Sequence, residues 1–121
     1  MAKLLIIDDM TTDRMVLRSF LSSRPYEIVE APDGEQGMAL CLSEKPDLVL
    51  LDIVMPKIDG FQVCRRIKKD PQTAHVPVIL ISSKGQESDK FWGMKQGASD
   101  YLTKPCSQEG LLAAIDRVLP A

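Results

Sequence analysis

Asp8 and Asp9 close an apolar run, Leu4-Leu5-Ile6-Ile7, and two adjacent like charges at the end of a buried segment need a reason. Asp52 closes a second such run, Leu48-Val49-Leu50-Leu51. A run from Val76 to Ile81 leads into Ser82-Ser83, and one from Ser99 to Thr103 leads into Lys104-Pro105. Brought together, these groups suit one kind of chemistry. Two unit charges about 4 Å apart repel by roughly 4 kcal/mol at an effective dielectric of 20. Lys104 offsets part of that repulsion and a divalent cation offsets more. A few hard carboxylate ligands suit Mg²⁺, which keeps several waters and is commonly completed by a phosphate. No G-x-x-x-x-G-K-[ST] or G-x-G-x-x-G cradle is present, so the phosphate must be small or covalently held. A carboxylate such as Asp52 attacks a phosphoryl group once charge on the equatorial oxygens is neutralised, here by Mg²⁺, Lys104 and Ser82. The acyl phosphate then offers Ser82 and Lys104 new acceptor oxygens, and local rearrangement at those two strand ends would bias a bistable surface.

The elements that must position these residues are legible as five short apolar runs alternating with five helix-like segments. The runs are Lys3 to Asp8, Tyr26 to Ala31, Asp47 to Asp52, Val76 to Ile81 and Ser99 to Thr103. The third is apolar on both faces, as a strand covered on both sides is. The second alternates partially, which suits a strand nearer the sheet edge. Thr11-Thr12 is a candidate cap for the first helix, whose apolar residues are Val16, Leu17, Phe20 and Leu21. Asp33 with Gln36 resembles a capping box for a helix through about Ser43. Met55 to Gly60 reads as a loop, after which Phe61, Cys64 and Ile67 space as a helix face. Ser88 is a candidate cap for a helix through Gln96, stopped by Gly97. The last helix carries Leu111, Leu112, Ile115, Val118 and Leu119 on one face, with Pro120 beyond its end. Strands separated by helices join most simply as parallel neighbours, and right-handed crossovers place helices on both faces. The expected fold is an α/β doubly wound five-stranded parallel sheet flanked by five helices. Its ligands bind outside the carboxyl ends of the strands, where the reactive residues lie.

The 121 residues suggest one domain with a hydrophobic core of its own. A net charge of −2 implies no basic face for nucleic acid. Cys41, Cys64 and Cys106 form no C-x-x-C pair and read as reduced, mostly buried cytoplasmic thiols. The run after Met-Ala-Lys is too short for a signal peptide or a membrane span. His75, the single histidine, sits in a Pro-flanked polar loop and reads as a surface residue. Each reactive residue also has an ordinary role: capping for Asp8-Asp9, a strand end for Asp52, a loop hydroxyl for Ser82, a surface amine for Lys104. All of them on the right strands, in chain order, make coincidence the poorer account.

The sequence resembles a receiver domain of two-component signalling, the CheY-like family. The likeness spans essentially the whole chain and is carried by Ile6 to Met10, IIDDM; Leu50 to Gly60, LLDIVMPKIDG; Ile79 to Ser83, ILISS; and Gly97 to Pro105, GASDYLTKP. The resemblance implies that Asp52 is the phosphoacceptor, Asp9 a direct Mg²⁺ ligand and Asp8 the partner of a metal water. It implies that Val54 lends a backbone carbonyl to the metal, that Ser82 is the switch hydroxyl and that Lys104 pairs with a phosphoryl oxygen. Tyr101 matches the aromatic that turns inward when the hydroxyl moves, and Lys104-Pro105 would be a cis peptide. Val54 and Lys84, two residues beyond Asp52 and Ser82, match positions that tune hydrolysis. The implied donor is a histidine kinase, and the implied output is binding of a partner through the face of the fourth helix, fifth strand and last helix, including Lys90, Lys95 and Tyr101. No output domain and no separate substrate are expected, only slow self-dephosphorylation. Lys90 to Pro105 further resembles the stand-alone receivers of type IV pilus chemosensory systems, the PilH type; for Phe91, Trp92 and Met94 simple helix packing is the ordinary alternative.

Of three rival readings, two carry discriminating features. A Mg²⁺-dependent phosphatase of the haloacid dehalogenase type also uses an aspartyl phosphate, but its first-strand motif is D-x-D, whereas Asp8 and Asp9 are adjacent. A flavodoxin-like carrier needs a phosphate-binding loop after the first strand, where Asp8-Asp9-Met10 would repel FMN phosphate. A phosphate sink that only drains a kinase shares every site residue with the leading reading.

Overall fold

The computed structural model describes residues 1–119; the expected helix stop at Pro120 lies outside them. Five strands, β1 (Lys3–Ile7), β2 (Glu27–Ala31), β3 (Leu48–Leu51), β4 (Val78–Ser82) and β5 (Asp100–Thr103), alternate with five helices. The helices are α1 (Thr11–Leu21), α2 (Gly34–Glu44), α3 (Gly60–Lys69), α4 (Glu87–Lys95) and α5 (Gln108–Val118). The sheet is wholly parallel with order β2-β1-β3-β4-β5. This is the expected doubly wound architecture, with β2 at an edge.

The alternation of side chains along each strand divides the core between the two faces of the sheet. Leu4 and Ile6 of β1, Leu48 and Leu50 of β3, and Ile79 and Ile81 of β4 pack against Leu17 and Leu21 of α1 and Leu111 and Ile115 of α5. Leu5, Ile7, Val49, Leu51, Val78 and Leu80 face the other way, onto Cys41, Val63, Cys64 and Ile67. Each fully buried Leu or Ile contributes about 1.5–3 kcal/mol relative to exposure, so these two layers hold the sheet rigid. Asp8 follows Leu4 and Ile6 in phase, which aims it at the α1 and α5 side.

Two caps differ from the sequence reading. Thr11 is already helical, and the N-cap is Met10, with no side-chain capping bond. The Asp8 carboxylate accepts from the Met10 N–H at 2.9 Å, so a turn centred on Asp8 starts the helix in place of the Thr hydroxyls. Ser88 lies inside α4; the N-cap is Gln86, whose N–H donates to Asp89 Oδ2 at 3.1 Å. Asp33 does cap α2, accepting from the Gln36 N–H, and the Gln36 side chain bonds back to Asp33 Oδ2. The loop after Asp52 folds tightly: a Cβ on Gly60 would lie 2.1 Å from the Asp52 carbonyl oxygen, so only glycine allows α3 to begin there. Gly97, at φ +101, ends α4 as expected.

Candidate functional site

The chain passes from β1 to β2 on one side and then to β3 on the other, which opens a crevice between the carboxyl ends of β1 and β3. Register places Ile7 beside Leu51, so the residues that follow, Asp8 and Asp52, emerge at the same level. Asp8, Asp9 and Asp52 each present a carboxylate oxygen within 4.8 Å of the others. Asp8 and Asp52 are buried, and Asp9 is half-buried. Three hard oxygen donors at this spacing fit a small divalent cation.

Lys104 extends over the crevice from the end of β5. Its Nζ donates to Asp8 Oδ2 and to Asp13 Oδ2, both at 2.8 Å, and lies 3.7 Å from Asp52 Oδ1. Burial pulls the ammonium pKa down, but the bonds to Asp13 and Asp8 outweigh it and hold Lys104 above the ordinary lysine value. Burial, with Asp8 and then Asp9 adding repulsion, pushes the Asp52 carboxyl up to about 6 against the attraction of Lys104. Asp8 is braced from behind, because Arg14 Nη1 donates to its backbone carbonyl at 2.6 Å while Arg14 Nε holds Glu30.

Ser82, fully buried at the end of β4, accepts from the Lys84 N–H at 3.3 Å. Its carbonyl accepts from the Lys104 N–H at 2.8 Å, which ties the β4 and β5 ends together. The Lys104-Pro105 peptide is cis. Val54 and Lys84 both sit exposed on the loops bordering the crevice. Tyr101 is buried rather than displayed, so it lies outside the exposed face on which it was expected. Its hydroxyl donates to the Lys84 carbonyl, and its ring comes within 3.1 Å of where a Cβ on Gly93 would stand. Phe91, Trp92 and Met94 are 64%, 51% and 48% exposed, so packing does not account for them. His75 is exposed. Burial pushes the Cys41 and Cys64 thiols up to about 11, so they stay protonated inside the core. Asp13 and Arg14 escaped the sequence reading. The only local hint was an acid in the first turn of a helix, which the helix dipole explains by itself.

The crowded carboxylates carry a stability cost of definite sign. The Asp52 pKa stands at about 6 in the folded chain against an ordinary 3.8. The folded state therefore binds this proton more tightly than the unfolded chain, and stability is lost as pH rises from about 4 through about 6. Asp52→Asn is expected to stabilise the metal-free protein by up to about 3 kcal/mol at pH 7.5 and by far less at pH 4. Urea unfolding at both pH values, with and without Mg²⁺, checks this. Mg²⁺ is expected to stabilise the parent and to leave Asp52→Asn and Asp9→Ala nearly unmoved; an equal Mg²⁺ response in all three counts against a metal at this cluster.

Comparison with known proteins agrees with this geometry. Residues 4–116 match the family model described as a response regulator receiver domain. Protein PilH of Pseudomonas aeruginosa is 48% identical over 119 residues, covering 98% of each chain. The DNA-binding dual master transcriptional regulator RpaA of Synechocystis is 41% identical, and the chain spans about half of its length (49%). Among solved structures, a putative response regulator from Chloroflexus aurantiacus superposes with a TM-score of 0.94 at 32% identity, covering 99% of this chain and 98% of that one. Vibrio cholerae chemotaxis protein CheY4 superposes at 0.91 with 29% identity, covering 98% and 99%. Among the described residues no helix is long and apolar enough to cross a membrane. A parallel sheet of order 2-1-3-4-5, an acidic crevice at its switch point and a family match over nearly the whole length lead to one conclusion: the chain belongs to the response regulator receiver domain family of two-component signalling proteins.

Proposed function

We propose that Asp52 accepts a phosphoryl group from a histidine kinase and that the phosphorylated chain signals by binding a partner protein. The observation that carries this is the buried Asp52 carboxylate set between Asp8, Asp9 and the Lys104 ammonium. An Asp52 oxygen attacks phosphorus, the bond from phosphorus to the donor imidazole breaks, and the electron pair leaves with the imidazole. Asp8, Asp9, Asp52 and the Val54 carbonyl are the groups that would hold Mg²⁺. When bound, Mg²⁺ supplies positive charge against the phosphoryl oxygens. Lys104 supplies a second positive charge, and Ser82 supplies a hydroxyl donor once it rotates away from the Lys84 N–H. Tyr101, held by the Lys84 carbonyl, couples that rotation to the loop leading into α4.

The exposed aromatic and methionine side chains of α4 support an output face built from α4, β5 and α5. Lys95 Nζ stands 5.3 Å from the Phe91 ring centroid, which leaves a mixed aromatic and basic surface including Lys90. Full-length likeness to PilH supports a place in pilus-based motility, downstream of a chemosensory kinase in the cytoplasm. Adjacent Asp8 and Asp9, together with the family match, disfavour the phosphatase reading. The direct test is incubation with acetyl phosphate and Mg²⁺, read as a shifted band on a phosphate-affinity gel. Absence of a Mg²⁺-dependent shift would sink the proposal.

Phosphoryl mimicry by beryllofluoride is expected to change amide exchange chiefly between Ser82 and Lys104. Exchange changes confined to α1 would contradict the assigned face.

A further inference from the structure

We infer that Asp13 is a positioning residue that competes with the phosphoryl group for Lys104, and so limits how tightly the phosphorylated state is held. The inference rests on Asp52 being the phosphoacceptor and adds a residue outside that set. Asp13 is the third helical residue of α1 and is not one of the three carboxylates that cluster within 4.8 Å. Yet it takes a hydrogen bond from Lys104 as short as that taken by Asp8, across 91 positions of sequence. An ammonium has three N–H donors. Asp8 and Asp13 occupy two of them, and Asp52 stands beyond hydrogen-bond reach at 3.7 Å.

The two anchors are not equivalent. The Asp8 side chain is 2% exposed and is also tied to the Met10 N–H, so it is fixed. The Asp13 side chain is 39% exposed and has water as an alternative partner. It borders a cavity of about 350 Å³ lined also by Leu17, Ile81, Lys104 and Pro105, which gives the Lys104 stem room to swing. A phosphoryl oxygen on Asp52 draws the ammonium toward Asp52, from which it stands 3.7 Å away, and the hold of Asp13 opposes that shift. The attraction of Asp13 is therefore subtracted from the phosphorylated state. Its negative charge also opposes a dianionic phosphoryl group, which acts in the same direction. Toward a metal cation alone the sign reverses, because losing Asp13 removes negative charge near the acidic cluster and lets Lys104 approach it. A purely structural role, as an acid at the helix start, predicts no such opposition of signs.

The experiment compares the parent, Asp13→Asn and Asp13→Glu for beryllofluoride affinity at saturating Mg²⁺ and for Mg²⁺ affinity alone, by calorimetry. Asp13→Asn is expected to bind beryllofluoride at least about threefold tighter and Mg²⁺ no tighter, the scale of a partly exposed ion pair. Asp13→Glu keeps the charge and is expected to restore the parent's affinity. Asp13→Ser, which also suits a helix start, repeats the test should Asp13→Asn fail to fold. Beryllofluoride binding by the neutral variants that is no tighter than the parent's, or a glutamate variant as tight as the asparagine one, overturns the inference and leaves the phosphoacceptor reading standing. Failure of the parent to bind beryllofluoride, or equal binding by Asp52→Asn, overturns both.

Discussion

Asp52→Asn is expected to lose phosphorylation by acetyl phosphate or kinase by at least ~10³-fold, because the nucleophile itself is removed. Asparagine matches the shape of aspartate, so the β3 end, the Gly60 turn and the Lys104 contacts to Asp8 and Asp13 stay in place. What disappears is the anionic oxygen that attacks phosphorus; an amide oxygen has its lone pair delocalised into the C–N bond. Retained fold with lost phosphorylation separates chemistry from structure, and the expected gain in metal-free stability sharpens the contrast. The measurement is a phosphate-affinity gel at saturating Mg²⁺, with circular dichroism as the fold control. Equal rate and stoichiometry in the parent and Asp52→Asn would move the phosphoacceptor to another residue.

The second large effect concerns the lifetime of the acyl phosphate. Hydrolysis needs a water in line behind phosphorus, opposite Asp52, and a side chain that holds and deprotonates such a water contributes on the order of 10²–10⁴-fold. The two side chains placed on the bordering loops are Val54 and Lys84, both exposed. Val54 has no polar side-chain atom, and Lys84 has donors only, so neither accepts a proton from water. The Lys84 backbone is anchored through its carbonyl to Tyr101, while its exposed side chain carries an ammonium that can pair with the phosphoryl oxygens and shield them. The phosphorylated form is therefore expected to outlive that of receivers with amides or acids at both positions. Val54→Asn with Lys84→Glu is expected to shorten the lifetime by at least ~10-fold, less than the full range of about 10²–10⁴-fold because both side chains lie on exposed loops. Decay is followed with Mg²⁺ present and the phosphodonor removed. A double variant that decays no faster shows that these side chains do not set the clock.

The sheet and the ends of its strands were legible because local pattern determines them. Leu48 to Leu51 reads as a strand covered on both faces, and the partial alternation from Tyr26 to Ala31 suits a strand nearer the edge. Asp8, Asp9, Asp52, Ser82 and Lys104 each terminate such a run, so the parallel-sheet rule alone delivered them to the carboxyl edge of the sheet. Their placement needed no knowledge of any side-chain contact. The helix starts were less legible. Thr11 and Ser88 have good capping chemistry, but Asp8, bent back onto Met10, and Asp89, bonded to Gln86, took the capping work. Several residue types fit a cap, and the path of the preceding loop selects among them. Phe91, Trp92 and Met94 sit at spacings that suit a packed helix, but α4 buries Gly93 against Leu80 and Tyr101 and leaves these three side chains exposed. The hold of Asp13 on Lys104 is the clearest case of what tertiary structure decided. Hydrophobic period and capping act over a few residues and are written in order along the chain. A hydrogen bond between α1 and the end of β5 exists only because the α1 and α5 layer packs on one face of the sheet and aims Lys104 back across it.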